Sequence, residues 1–304
     1  MDHVLRTNAL CKQYKGCQAL NGLSMNVPKG SIYGFVGKNG AGKTTLIRLI
    51  CGLQTPTSGE YMLYGRKHTD KDILKSRRRM GAVVETPSIY LDMTAADNLK
   101  IQYRILGLPS CGGMDDILEL VELKHTGSKK AKNFSLGMRQ RLGIAIALVG
   151  GPDFLVLDEP VNGLDPQGII EMRELILKLN RRQGITFLIS SHILDELSRL
   201  ATHYGFIDNG QIVREISAKD LNAACRKCVR LEVSDTRILA RVLDAMNLEY
   251  QIISAREADV YAKINVSQLT LALAKENCEV ISMLERDESL ESYYVNLIGG
   301  KQDE

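Results

Sequence analysis

The rhythm of hydrophobic and polar positions changes along this chain, and each change marks a different kind of structure. Val4–Leu10 alternates weakly and predicts a strand, followed by a polar turn, Lys12-Gln13-Tyr14-Lys15-Gly16. Leu23–Val27 and Ile32–Val36 predict two more strands, separated by Pro28-Lys29-Gly30. A glycine-rich loop then leads into Leu46-Ile47-Arg48-Leu49-Ile50, a helix stopped by Gly52. Glu60–Tyr64 reads as a strand closed by Gly65, Asp70–Arg78 as a charged helix, and Gly81–Val84 as a short buried strand ending at Glu85.

From Thr86 to Val149 the period becomes helical. Leu99, Ile101, Ile105 and Leu106 stand at roughly helical spacing over Asp97–Leu106, a helix that Gly107-Leu108-Pro109 ends. Met114–Leu123 predicts a second helix, and Ser135 stands at the N-cap of a third running to Val149. Phe154-Leu155-Val156-Leu157 is wholly apolar, as in a parallel strand buried on both faces, and runs into Asp158-Glu159-Pro160. Pro166 opens a helix to Asn180, Ile185–Ser190 is another buried strand ending before His192, and Asp208-Asn209-Gly210 is a hairpin turn. The last ninety or so residues predict strand Cys228–Val233, helix Thr236–Met246, strands Tyr250–Ser254 and Val260–Ile264, helix Ser267–Glu276, strand Val280–Leu284 and a tail helix Leu290–Ile298. That β-α-β-β-α-β order is the ferredoxin-like pattern. The expected architecture is an α/β domain over 1–216 with a helical insert over about 86–149, then a small α+β domain over 217–304.

Composition narrows the function classes. The 304 residues are 44% apolar and 25% charged, as in an ordinary globular protein. A net charge of +3 gives no reason to expect nucleic acid as a partner. The longest apolar runs, such as Leu142–Val149, fall well short of the ~20 residues of a membrane span. Met1-Asp2-His3 opens with an acid and does not read as a secretory leader. Seven scattered cysteines read as reduced thiols, and Cys225-Arg226-Lys227-Cys228 is a lone C-x-x-C without the second pair that a metal site needs. Lys75, Arg77, Arg78 and Arg79 form either an anion patch or, more simply, a solvated helix face.

The chemistry is concentrated in Gly37-Lys38-Asn39-Gly40-Ala41-Gly42-Lys43-Thr44-Thr45, which matches the phosphate-binding loop G-x-x-x-x-G-K-[ST] between a strand and a helix. The glycines let backbone N–H groups converge on one point, where the helix N-terminus adds its positive dipole end. Lys43 supplies a charge for β- and γ-phosphates, and Thr44 a hydroxyl for Mg²⁺. A second acidic strand end is needed to hold that cation, and Asp158 fits, with Glu159 beside it to face the γ-phosphate and a water. His192, past the next strand, lies at the sheet end where α/β ligands bind. The guanine motifs Asn-Lys-x-Asp and Thr-Lys-x-Asp are absent.

With these motifs in order, residues 4–216 resemble an ATP-binding cassette ATPase, the nucleotide-hydrolysing subunit of ABC transporters. The resemblance aligns Tyr14 with the adenine-stacking aromatic, and Gly37–Thr45 with the phosphate loop, Lys38 standing where proline is usual. Phe134-Ser135-Leu136-Gly137-Met138-Arg139-Gln140 is similar to the signature segment Leu-Ser-Gly-Gly-Gln. Ser135 and Gly137 match its serine and second glycine, while Leu136 replaces the first glycine and Met138 the glutamine. Asp158 and Glu159 align with the Mg²⁺ aspartate and catalytic glutamate, Gly163-Leu164-Asp165 with the loop that communicates across the dimer, and His192 with the switch histidine. Glu85 stands where glutamine is usual, as a further Mg²⁺ contact. Glu85-Thr86-Pro87 and Ser135-Leu136-Gly137-Met138 resemble the branch of bacterial exporters that includes bacitracin-resistance and lantibiotic self-protection ATPases.

The resemblance implies ATP and Mg²⁺ as cofactors and a head-to-tail dimer in which Ser135 and Gly137 of one subunit face the nucleotide of the other. It implies Lys43, Glu159 and His192 as the catalytic set, and Thr44, Asp158 and Glu85 around the metal. It also implies a separate transmembrane permease and a place in the cytoplasm, on the inner face of the membrane. Two other readings compete with an exporter ATPase: a soluble cassette ATPase serving a non-membrane partner, and a nucleotide-gated scaffold without turnover, against which Glu159 and His192 argue.

Overall fold

The computed structural model describes residues 2–224, 227–262, 264–287, 293–294 and 297. The chain forms two compact units, Met1–Ala218 and Lys219–Glu304.

The first unit opens with β1 (His3–Tyr14) and β2 (Cys17–Pro28), an antiparallel pair longer than the alternation suggests. Register shifts between Thr7 and Leu10 and between Leu10 and Lys12, with Ala9 at φ 45°, turn successive side chains out of phase and hide the strand from a period-2 reading. Next come β3 (Ile32–Val36), α1 (Lys43–Ile50), β4 (Ser58–Leu63), β5 (Arg66–Lys67), α2 (Ile73–Arg77) and β6 (Met80–Val83). The charged helix is shorter than predicted because Asp70 is spent on a turn, accepting from the Lys67 N–H at 2.9 Å. The basic run around it is largely engaged: Lys75 pairs with Asp72, Arg79 with Asp153, and Arg77 donates to the Tyr61 hydroxyl.

The helical stretch holds α3 (Ala95–Ile105), α4 (Met114–Leu120) and α5 (Leu136–Leu148), two of them capped by hydroxyls. Thr94 accepts from the Asp97 N–H, and Ser135 from the Met138 N–H at 3.2 Å. Then follow β7 (Phe154–Asp158), α6 (Pro166–Gln183), β8 (Thr186–Ser191), the short and unpredicted α7 (Leu194–Ser198), β9 (His203–Asp208) and β10 (Gln211–Ser217). Asn209 and Gly210, at φ 46° and 75°, make the expected hairpin turn between the last two.

One sheet of this unit is antiparallel, ordered β2-β1-β4-β5. The other has six strands, ordered β10-β9-β3-β8-β7-β6, parallel except for β10. β3, β7 and β8 are buried along their whole length, which accounts for their unbroken apolar runs. Because β8 lies between β3 and β7, the chain segments leaving the C-terminal ends of these strands are brought side by side. Tyr33 ties the unit together from its interior. Its hydroxyl donates to Glu215 at 2.6 Å, and burial followed by that carboxylate holds its pKa well above the ordinary value.

The second unit opens with the unpredicted α8 (Ala218–Ala224), which begins at the last residue of the first unit. Its further elements are β11 (Lys227–Val233), α9 (Thr236–Ala245), β12 (Tyr250–Ile252), β13 (Glu257–Val260), α10 (Val266–Lys275) and β14 (Val280–Asp287). All strand pairs are antiparallel, in the order β12-β13-β11-β14. Strand β13 begins three residues before the predicted start at Val260 and ends there. Ser254 Oγ accepts from the N–H groups of Arg256 and Glu257, tightening the turn so that pairing resumes at once. Leu231, Val233, Leu239, Leu243, Ala258 and Leu269 are among the residues of a separate apolar core. Apart from Tyr293, Tyr294 and Leu297, the predicted tail helix lies outside the described residues, as does Cys225 of the C-x-x-C, whose Cys228 is buried in β11.

Candidate active site

The loop between β3 and α1 is shaped by close approaches. A Cβ on Gly37 would lie 2.6 Å from the Ile207 carbonyl oxygen, and one on Gly42, at φ 111°, would lie 2.5 Å from that of Ala19. Only glycine fits either position. The β9–β10 turn steadies the loop, since Gly210 N–H donates to the Ala41 carbonyl at 3.0 Å. Lys38, Asn39 and Gly40 form its exposed crest, whereas Ala41 and Gly42 are buried and Thr44 and Thr45 half-buried.

Lys43, the first residue of α1, is 6% exposed. Its Nζ folds back over the loop, donating to the carbonyls of Gly37 at 2.6 Å and Lys38 at 3.2 Å, with Glu159 Oε1 at 3.4 Å. Next on the helix, Thr44 Oγ1 donates to Asp158 Oδ2 at 2.9 Å. Ser190 Oγ donates to the other Asp158 oxygen and accepts from the Glu159 N–H at 3.0 Å. Sheet register explains this meeting: Ser190 pairs with Phe35 of β3 on one side and Asp158 of β7 on the other. Glu159 adopts φ 51°, a left-handed conformation unusual for a residue with a side chain. That turn leaves its carboxylate between Lys43 and His192, whose Nδ1 lies 2.8 Å from Glu159 Oε2. A carboxylate accepts, so the shared hydrogen sits on Nδ1 and leaves Nε2 as the other face of the ring.

Lys43, Thr44, Asp158, Glu159 and His192 are thus brought together. Among the described residues, no hydrogen bond or ion pair joins Glu85 to them. It sits past β6 at φ 59° and pairs with Arg48 of α1. Tyr14, at the end of β1, donates its hydroxyl to Gln54, with Lys12 Nζ 5.3 Å from its ring centroid. Ser135 and Gly137 open α5, with Ser135 exposed. Asp165 caps α6, accepting from the Gly168 N–H at 3.2 Å. Ser190 was missed in the sequence, although a hydroxyl at the end of an apolar strand, two residues before His192, was a usable signal. Behind α1, burial pushes the Cys51 thiol up to about 12, with Arg77 opposing and Asp158 adding to the rise.

The donor set suits a hard divalent cation: a hydroxyl and a carboxylate in contact, with no group of three or more His, Cys, Asp or Glu among the described residues able to cage a metal. Mg²⁺ prefers such partial coordination, completed by substrate phosphates and water. Phosphate-shaped loop, lysine, strand-end acid and a glutamate–histidine pair are together what phosphoryl transfer to water requires.

Comparison with known proteins agrees. The model of the family described as ABC transporter matches residues 20–162. The bacitracin transport ATP-binding protein BcrA of Bacillus licheniformis is 40% identical over 306 residues, covering 99% of both chains. The lantibiotic transport ATP-binding protein SrtF of Streptococcus pyogenes is 42% identical over 212 residues, covering 70% of this chain and 90% of that one. Among solved structures, a dimeric ATP-binding cassette in a post-hydrolysis state, bound to ADP and Pi, superposes with a TM-score of 0.63 at 25% identity, over 70% of this chain and 98% of the other. No helix among the described residues is long and apolar enough to cross a membrane. The chain belongs to the ATP-binding proteins of the ABC transporter family, ATPases whose hydrolysis of ATP is coupled to transport.

Proposed function

We propose that this chain powers the export of a peptide antibiotic through a separate membrane permease. The observation that carries the export reading is the 40% identity to a bacitracin transport ATPase along 99% of both chains, second unit included. The observation that carries the hydrolytic reading is the junction of Lys43, Glu159 and His192.

In this reading the phosphate loop, Gly37 to Thr45, cradles the phosphates of ATP, and Tyr14 gives up Gln54 to stack on the adenine. Lys43 exchanges its loop carbonyls for phosphate oxygens. Glu159 accepts a proton from the attacking water, and His192 orients Glu159 through Nδ1. Thr44 and Asp158 would hold Mg²⁺, which when bound would neutralise phosphate charge. Glu85 joins them by leaving Arg48. Ser135 and Gly137 act in trans, presenting the N-terminus of α5 to the nucleotide of a second, head-to-tail copy. The dimeric cassette with ADP and Pi supports that arrangement. The protein works at the cytoplasmic face of the membrane, held there by its permease, and residues 217–304 form an accessory domain to the 1–216 ATPase.

The test is co-expression with a multi-span permease sought in the neighbouring reading frames. Host tolerance to bacitracin or a lantibiotic should rise, and should fall back when Lys43→Ala replaces the unaltered chain. Unchanged tolerance with active ATP hydrolysis would overturn export and favour a non-membrane partner.

A further inference from the structure

The segment that opens α5 and the turn that follows Glu159 meet within one chain. Leu136 stands where the signature segment it resembles has glycine, and it is 46% exposed. Its Cδ2 would lie 3.2 Å from a Cβ built on Gly163. The reverse approach occurs beside it: Leu164 Cδ2 would lie 3.7 Å from a Cβ built on Gly137. Each loop therefore rests a leucine on the other's glycine. Gly163, at φ 76°, is doubly constrained, since a side chain would strain the backbone and crowd Leu136.

The turn is short and internally bonded. Asn162 N–H donates to the Glu159 carbonyl at 3.1 Å, and Leu164 N–H to the Val161 carbonyl at 3.2 Å. Asp165 then anchors the far end as the cap of α6. A push on Gly163 has little slack to absorb it before Glu159, which is already held at φ 51°. We propose that Leu136 is a positioning residue: its contact with Gly163, matched by Leu164 on Gly137, links the segment that meets a partner's nucleotide to the glutamate that serves the chain's own. This rests on the ATPase reading above and adds a mechanical connection between the two sites.

Two variants of the full chain test it, Leu136→Ala and Leu136→Met. Alanine keeps helix propensity while removing the contact, and methionine restores reach. Three quantities are measured: affinity for a fluorescent ATP analogue, steady-state kcat and KM for ATP, and hydrogen exchange of the amides of Asn162–Leu164. Leu136→Ala should keep analogue affinity and KM within about twofold, lower kcat about tenfold, and speed exchange at Asn162–Leu164, since small misplacements of catalytic groups are costly. Leu136→Met should return kcat and exchange to near the unaltered values. A merely structural leucine would change thermal stability and analogue affinity instead, without a separate fall in kcat. Unaltered kcat and exchange in Leu136→Ala would overturn the proposal, as would a methionine variant no better than alanine. Absence of turnover in the unaltered chain would instead defeat the ATPase reading, and exchange at Asn162–Leu164 would still decide whether the two loops interlock.

Discussion

Both units place charges on a β-sheet, and they treat them in opposite ways. In the second unit Arg230 and Asp259 face each other across β11 and β13, and two donor–acceptor bonds of 2.7 Å join guanidinium to carboxylate. Each charge saturates the other, and Asp259 is only 7% exposed. At the strand ends of the first unit, Asp158 is held instead by the neutral hydroxyls of Thr44 and Ser190, and Lys43 chiefly by loop carbonyls. Neutral partners satisfy hydrogen bonds without cancelling charge, so the site keeps an electrostatic demand that a phosphate and its cation can meet. A bidentate pair is a finished structure, whereas a charge bonded to dipoles is ready for a ligand.

The sharpest way to break this contrast is to remove the charge that the site holds ready. Lys43→Ala should abolish measurable ATP hydrolysis and weaken nucleotide binding, with circular dichroism and melting temperature little changed. The small effect on folding follows from its present bonds, chiefly to the carbonyls of Gly37 and Lys38, which water can serve instead, while Glu159 keeps His192 as a partner. Turnover at the unaltered rate would remove the core of the mechanism, while loss of the folded signal would mean that Lys43 holds the loop together rather than waiting for phosphate.

How much of this was legible in the sequence depended on whether a feature is local. The phosphate loop and the acid after a wholly apolar strand are local, because chain neighbours alone shape them. Ser190 and the Arg48–Glu85 pair are not, since they depend on β8 lying between β3 and β7 and on which face of α1 meets the end of β6. Strand lengths failed where bulges broke the period, as at Ala9, and the third strand of the second unit was displaced by a serine-capped turn. Helices α9 and α10 of that unit were readable because they carry clear apolar faces, with Leu239, Val242 and Leu243 buried on one and Leu269 and Leu273 on the other.

An intermediate effect is expected from separating the units. A chain ending at Ser217 should remain soluble and bind ATP, because the site is assembled from residues before that point. Within the full chain, Arg230→Ala should destabilise the second unit alone, by roughly 3 kcal/mol, since Asp259 would be left buried without its partner. Calorimetry should then show one transition shifted and the other kept, with ATP binding unchanged. Insolubility of every truncation, or loss of ATP binding in Arg230→Ala, would mean that the two cores are not independent.

The smallest effect concerns Glu85, the one predicted metal contact that sits outside the cluster. Its partner is Arg48, and their side chains are 56% and 37% exposed, so the pair contributes at most about 1 kcal/mol and its loss should barely move the melting temperature. Glu85→Gln releases Arg48 and keeps an oxygen able to contact a cation, but without the negative charge. Two consequences pull on Mg²⁺ dependence in the same direction. The amide makes a weaker ligand for a hard cation, and the freed guanidinium adds unbalanced positive charge near the loop. Hydrolysis should therefore survive while the Mg²⁺ concentration for half-maximal rate rises, by about two- to fivefold, less than the tenfold that corresponds to 1.4 kcal/mol. The measurement is ATP turnover across a Mg²⁺ titration at fixed ionic strength, because both charges are exposed to screening. Superimposable curves for the two proteins would leave Glu85 as a surface partner of Arg48 and confine the cation to Thr44 and Asp158.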